Sequence, residues 1–256
     1  MRADSLDVLS LNTSSFRDNV ATVQGQRRMS CSVALFTCSR CSAMLAGGAV
    51  LGRALTSVEA RGCNFTDNSA NTAVGAAAFA ALTADITDCV FARNKVTGLF
   101  VAAFDTLVGV GEASIGVGGL GLVQAARFLV ARCQFIDQEV VSSAINCGPG
   151  TFQYASPHSG GVFITQSRNG AVVNSTFRNN GACAGGAVGM WLASSTRFNG
   201  CRFEDSKAIV SGGAIDFDRS SGVELVDCEF HGSTAYGLKL GSPAYGGDMY
   251  VCNACQ

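Results

Sequence analysis

Residues 185–205 read GGAVGMWLASSTRFNGCRFED and residues 212–232 read GGAIDFDRSSGVELVDCEFHG. Set one above the other they align without a gap. A glycine pair, an alanine and a branched aliphatic open each stretch, and Cys201/Phe203 and Cys228/Phe230 fall at the same places near its end. The pattern extends outward. Glycine pairs stand at Gly47-Gly48, Gly118-Gly119, Gly160-Gly161, Gly185-Gly186 and Gly212-Gly213, followed by Phe65, Phe135, Phe177, Phe203 and Phe230. From the first glycine to the phenylalanine the intervals are 18, 17, 17, 18 and 18 residues. A chain retracing one path has reason to keep such an interval, so the repeat predicts a solenoid.

The other positions give one coil its shape. Cys63, Cys89, Cys133, Cys201 and Cys228 stand two residues before a phenylalanine, with Ser14 and Ser175 in that place before Phe16 and Phe177. Spacing two puts both side chains on one face of a strand, and a small thiol beside a large ring marks that face as interior. A second alternating pair lies seven and five residues before each phenylalanine, as in Val58/Ala60, Phe128/Val130 and Val223/Leu225. The glycine pair opens a third strand at a corner. Three short strands and three corners per rung, with the shortest rungs at 25 to 27 residues, fit a parallel β-helix whose strands pair with their equivalents ~4.8 Å away. Asn19, Asn68, Asn94, Gln138, Asn180, Ser206 and Ser233 stand three residues after the phenylalanines and are expected to stack as a hydrogen-bonded ladder.

Gly-Gly-Ala-Val at 47–50 and 185–188, Gly-Gly-Ala-Ile at 212–215, and Phe-x-x-Asn at 65–68, 91–94 and 177–180 resemble the repeat of the polymorphic outer membrane protein family. The resemblance covers nearly the whole chain. It implies an all-β fold, a right-handed parallel β-helix of pectin-lyase-like shape, carried at a cell surface and used in adhesion. The family's translocator barrel and export signal have no counterpart in these residues.

About seven to eight rungs are expected in a single domain over 1–256. The first rung opens without a glycine pair, and Gly246-Gly247 predicts a phenylalanine past the last residue. The chain therefore reads as a fragment truncated at both ends, with the remainder of its own longer chain and end-to-end self-association as natural partners. Tight rungs need 8 or 9 residues from phenylalanine to the next glycine pair. Longer connections mark insertions at 17–46, 92–117, 136–159 and 231–245, all at one corner, and the second leaves room for a degenerate rung near Gly98.

Charged residues make up 14% of the chain, against ~25% in a typical soluble protein, as suits a continuous apolar column. The net charge is −1 and no basic stripe occurs, so neither nucleic acid nor an anionic membrane is an expected partner. The stretch Ser69 to Ala84 is uncharged over 16 residues, short of the ~20 that a membrane span needs. Met1 to Asp18 lacks a basic start followed by an apolar run, so no signal peptide is read there.

Twelve cysteines divide into two groups. The five of Cys-x-Phe are expected to be buried free thiols. Among the others, Cys147 and Cys183 precede consecutive glycine pairs and are placed to meet across one rung, which suits an oxidising, extracellular setting. Cys38/Cys41 and Cys252/Cys255 have metal-ligand spacing but sit some seven rungs apart, so no metal site is expected. Asn12, Asn64 and Asn174 begin Asn-x-Ser/Thr triplets and should face outward.

Gly116-Val-Gly118-Gly-Leu-Gly121 matches the spacing of a dinucleotide fingerprint, yet it also lies on the repeat register, and a rung corner is the preferred reading. No cofactor is expected. His231-Gly232 reads as a turn, and His158 has no evident partner. The candidate site comes from aligning glycine-pair strands: Trp191 with Asp218, Tyr250 with Asp216, and Asp248 with Ala214. With Val188/Met190 and Ile215/Phe217 inward, Trp191, Asp216, Asp218, Asp248 and Tyr250 should point outward on one sheet face. Rings stack on sugar faces and carboxylates accept hydroxyl hydrogens, so a polysaccharide or cell-surface glycan is the expected partner. The function read from this is a non-enzymatic surface or extracellular adhesin-like binding or structural module. The alternative is a polysaccharide lyase or glycoside hydrolase using Asp216 and Asp218, which strand geometry puts ~6.5–7 Å apart, near the ~6.5–9.5 Å of inverting glycosidases.

Overall fold

The computed structural model describes residues 8–21, 48–70, 74–97, 116–140, 147, 158–236 and 246–252. Every assigned strand pairing is parallel, and each strand pairs with its equivalent one rung before and after. The result is a parallel β-helix with seven rungs on its phenylalanine face and an eighth begun by Met249–Cys252.

Each rung carries four strand positions, one more than the three expected. The first ladder holds the glycine-pair strands, including Leu120–Val123, Val162–Thr165, Val188–Trp191 and Ile215–Asp218. The second holds Val8–Asn12, Arg127–Ala131, Arg168–Val173, Ser194–Asn199 and Ser221–Val226. Two long strands, Val50–Arg61 and Ala77–Thr87, run through both and fuse them into one 12-stranded sheet. The third ladder holds the seven phenylalanine strands from Ser15–Arg17 to Glu229–His231. The fourth, missed in the sequence, is seven short strands that follow the asparagine position, from Val20–Ala21 to Thr234–Ala235. Two-residue strands such as Lys95–Val96 and Glu139–Val140 are too short to display a period.

The bends between the first three ladders and before the fourth each use a single left-handed residue, with φ between +45° and +66°. Most of these residues are not glycine: Asp88, Arg132 and Asn174 take the bend before the cysteine position, and Asp67, Arg93, Asp137 and Asn179 the bend before the asparagine position. Asp and Asn tolerate this region because their short polar side chains bond locally. Glycine is required elsewhere. Pairing aligns Gly48, Gly75, Gly118, Gly160, Gly186, Gly213 and Gly247 in one column. A Cβ on any of the first six would overlap the carbonyl oxygen of the glycine one rung on. The 17- and 18-residue intervals are thereby explained. In the 118 and 160 pairs it is the first glycine that occupies this column, and in the others the second.

The interior is one continuous core. Phe16, Phe65, Phe91, Phe135, Phe177, Phe203 and Phe230 stack along the axis, with neighbouring centroids 4.7–4.9 Å apart and rings within 9° of parallel. Beside them run the free thiols of Cys63, Cys89, Cys133 and Cys201, all buried, and the half-buried Cys228. Their sulfurs lie near backbone carbonyls, as Cys63 Sγ does to Leu11 O at 3.3 Å. Cys147 and Cys183 form the expected disulfide, with Cα atoms 5.5 Å apart. Cys31, Cys38, Cys41 and Cys255 lie outside the described residues, as do most of the four insertions and the degenerate rung proposed near Gly98. Among the described residues there is no group of three or more His, Cys, Asp or Glu able to hold a metal ion, and no helix long and apolar enough to cross a membrane. Asn12, Asn64 and Asn174 are exposed.

The asparagine ladder is buried and bonded in both directions. Asn19 Nδ2 donates to Asn68 Oδ1, Asn68 Nδ2 to Asn94 Oδ1, and Asn94 Nδ2 to Gln138 Oε1, at 2.8, 2.8 and 3.0 Å. The amides of Asn68, Asn94, Gln138 and Asn180 also reach backbone carbonyls, Asn94 Nδ2 bonding Phe65 O at 2.9 Å. Asn94→Ala would take the side-chain partner from the Asn68 backbone N–H and from the Phe65 carbonyl, while the Gln138 amide oxygen would keep only the residue-94 backbone N–H at 3.3 Å. Unsatisfied buried groups cost ~1–3 kcal/mol each, and partial relaxation leaves an expected loss of about 2–3 kcal/mol in urea unfolding. A loss under ~0.5 kcal/mol would show that the ladder decorates the stack without supporting it.

Candidate ligand-binding face

The first ladder has two faces. Inward lie Leu120/Leu122, Val162/Ile164, Val188/Met190 and Ile215/Phe217, in the main core. Alternation then turns the intervening residues outward in two rows across the rungs. One row is Leu51, Ala78, Gly121, Phe163, Gly189, Asp216 and Tyr250; the other is Ala80, Val123, Thr165, Trp191 and Asp218. The pairing brings Trp191 beside Asp218 and Asp216 beside Tyr250, and Ala214 N donates to Asp248 O at 2.9 Å.

The outer face is not a flat solvated ladder. Val74 and Val117, each just ahead of a column glycine, pack with the outward strand residues Ala78, Val123, Phe163 and Trp191 as a second apolar cluster. Gly116–Val117, inside the fingerprint-like stretch, pairs with His158–Ser159, and the strand Leu120–Val123 follows, so that stretch is a rung corner. As a result Trp191 and Asp216 are each only 6% exposed, which corrects the expectation that all five candidates point into solvent. Asp218 is half-buried with its side chain 28% exposed, Tyr250 is half-buried and Asp248 is exposed. The sequence missed this cover because the segments before the glycines vary in length and carry no repeat.

Polarity changes along the axis. Early rungs present Ala78 and Val123, the strand Val162–Thr165 presents both Phe163 and Thr165, and later rungs present Trp191, Asp216 and Asp218. Ser211, buried just ahead of its glycine pair, donates a short hydrogen bond to Asp216 Oδ2. Burial pushes the Asp216 carboxyl up to about 7, the Ser211 bond works against that rise, and the charge of Asp218 adds to it. Burial also raises Asp218, and the Arg219 guanidinium 3.9 Å away pulls it back. Two polar atoms on this face are buried without a partner, Thr165 Oγ1 and Trp191 Nε1, and pairing sets their residues side by side on neighbouring rungs. Thr165 was not singled out from the sequence, where Val-Phe-Ile-Thr reads as an ordinary strand. Its register opposite Trp191 was the available signal.

His231 is exposed at the end of a phenylalanine strand, 3.7 Å from Glu229, far in the rung from these residues. Among known proteins, the family described as right handed beta helix region matches residues 112–245, just over half of the 256-residue chain. No curated protein and no solved structure matches it. The matched span takes in the rungs of Phe135, Phe177, Phe203 and Phe230, whose strands pair in register throughout. By that match and by its stacked parallel rungs, the chain belongs to the right-handed β-helix family.

Proposed function

We propose that the chain is a non-enzymatic, extracellular binding module of adhesin-like kind, with a polysaccharide or cell-surface glycan as its ligand. The observation that carries this reading is the outer face of the later rungs. There an indole, a half-exposed carboxylate and unpartnered hydrogen-bonding atoms sit on a rigid parallel sheet. Such a mixture of ring and polar groups suits sugar hydroxyls. The Cys147–Cys183 disulfide supports an oxidising, cell-surface or extracellular location. The adhesin-like reading also draws on the resemblance of the Gly-Gly-Ala-Ile and Phe-x-x-Asn motifs to the polymorphic outer membrane protein repeat.

One observation favours a second reading, a glycan-cleaving enzyme. A carboxyl raised to about 7 beside a second carboxyl resembles the acid of a glycosidase pair. Against it, the Asp216 carboxyl is buried and its Oδ2 already accepts from the Ser211 hydroxyl inside the protein. Co-sedimentation of the full chain with insoluble plant, algal and microbial polysaccharides tests the binding reading. The expected result is retention on at least one of them, lost about tenfold or more in Trp191→Ala and in Asp218→Asn, with circular dichroism unchanged. Retention on none, or retention untouched by both variants, would overturn this assignment of the face.

A further inference from the structure

We propose that Thr165, Trp191 and Asp218 form a hydroxyl-reading row that takes a neutral glycan laid along the helix axis, across three successive rungs. The inference rests on the glycan-binding reading above and adds the chemical class, the direction of the ligand and a residue that reading did not contain.

Three observations carry it. First, the three residues are register partners, Thr165 with Trp191 and Trp191 with Asp218, so they form a line along the axis with steps of ~4.8 Å. Two steps cover the scale of a disaccharide. Second, Thr165 is 1% and Trp191 6% exposed, yet Thr165 Oγ1 and Trp191 Nε1 lack any partner. Burying a polar group unpaired is unfavourable, and a ligand that satisfies both atoms regains that loss on binding. The indole only donates, the threonine hydroxyl does both, and the Asp218 carboxylate accepts. A sugar hydroxyl can accept from the indole while another donates to the carboxylate.

Third, the cover changes at these rungs. The position just before the column glycine is Val74 and Val117 in earlier rungs and Ser159 in the next. In the two rungs that carry Trp191 and Asp218 it is Gly185 and Gly212, both left-handed, where a Cβ would overlap backbone atoms of Val188 and Ile215. Those rungs therefore place no side chain where the earlier ones place valine. On the rim stand Gln124, Gln166, Leu192 and Arg219, one left-handed residue per rung, with Gln124 Nε2 donating to Gln166 Oε1 at 3.4 Å. The two glutamines add amide groups beside the row. Because both orphan atoms are covered in the free chain, binding must turn the indole, a kind of rotamer change common at binding surfaces.

The charge selects a neutral ligand. Asp216 and Asp218 share this face, and Arg219 is already engaged with Asp218 at 3.9 Å. A polyuronate would place its carboxylates beside Asp216 and Asp218, and Arg219 could serve it as counter-charge only by leaving Asp218.

Trp191 is the one tryptophan in the chain, so its emission reports on the row alone. The experiment titrates the full chain with cello-, manno- and galacto-oligosaccharides of four units, and with tetragalacturonate in the presence of a chelator. At least one neutral oligomer is expected to shift the emission saturably, and tetragalacturonate to leave it unchanged. Thr165→Val and Asp218→Asn should each weaken that binding about tenfold, and Glu224→Gln on the second ladder should not change it. Preference for tetragalacturonate, or wild-type affinity in Thr165→Val, would overturn the proposal. If polysaccharide is retained in co-sedimentation while Trp191 emission never moves, the row is refuted and the broader binding reading stands. If neither occurs, both fall, and an ordered water alone satisfies the two atoms.

Discussion

Phe135→Ala should lower the unfolding free energy by about 3–5 kcal/mol, as should truncation of any ring of the column that is fully buried between two others. The ring is fully buried and stacked on both sides, 4.8 Å from Phe91 and 4.9 Å from Phe177. Truncation removes the transfer free energy of the ring and leaves a cavity that two flanking rungs cannot close, because their backbones are tied to each other through the strand Gln134–Ile136. It also removes two offset ring contacts, worth ~0.5–1.5 kcal/mol each beyond area. Phe16 stacks on one side only and is half-buried, so Phe16→Ala should cost less than half as much. Urea unfolding followed by circular dichroism measures both. Equal losses at the two positions would show that the column is a row of independent contacts rather than a packed core.

The second large effect concerns pH. In the folded chain the Asp216 carboxyl titrates at about 7, against 3.8 when unperturbed. Between those values the folded state holds a proton that the unfolded state has released. Stability is then full below about pH 4, falls as pH rises through this window, and levels off above about pH 7, by which point the cost is on the order of 4 kcal/mol. Asp218, raised in the same direction, adds to the same sign. Asp216→Asn keeps the shape and the Ser211 partner while removing the titration. The variant should therefore be the more stable protein at pH 8, with the two chains converging at pH 4. Wild-type stability that rises relative to the variant between pH 4 and 7 would mean that Asp216 is ionised and held by a partner other than Ser211.

Much of the fold was legible because a solenoid repeats its constraints. Cys-x-Phe, with serine for cysteine at Ser14 and Ser175, appears wherever a strand faces the core beside the phenylalanine stack. An amide three places on marks the bonded ladder from Asn19 to Asn180, while the Ser206 hydroxyl bonds only its own rung, at Glu204 O, and Ser233 Oγ has no partner. Each recurrence is one more reading of the same local geometry. The rung of Phe91 was harder, because its corner carries a lone glycine, Gly75, between Val74 and Ala76, and no pair. The fourth ladder was invisible, since two-residue strands hold no alternation. The alignment of Trp191 with Asp218 and of Asp216 with Tyr250 followed from counting within the repeat. Their burial did not, because it comes from Ser211, Val117 and other residues ahead of the glycines, where rung length is free to vary.

The functional account turns on whether a glycan held by this chain survives intact. Prolonged incubation with each retained polysaccharide, followed by sizing of the glycan recovered from the bound fraction, measures that directly. The account predicts retained glycan with an unchanged chain-length distribution from pH 5 to pH 8. Progressive shortening, abolished by Asp216→Asn or Asp218→Asn in a chain that still folds, would contradict it and assign the two carboxyls to catalysis.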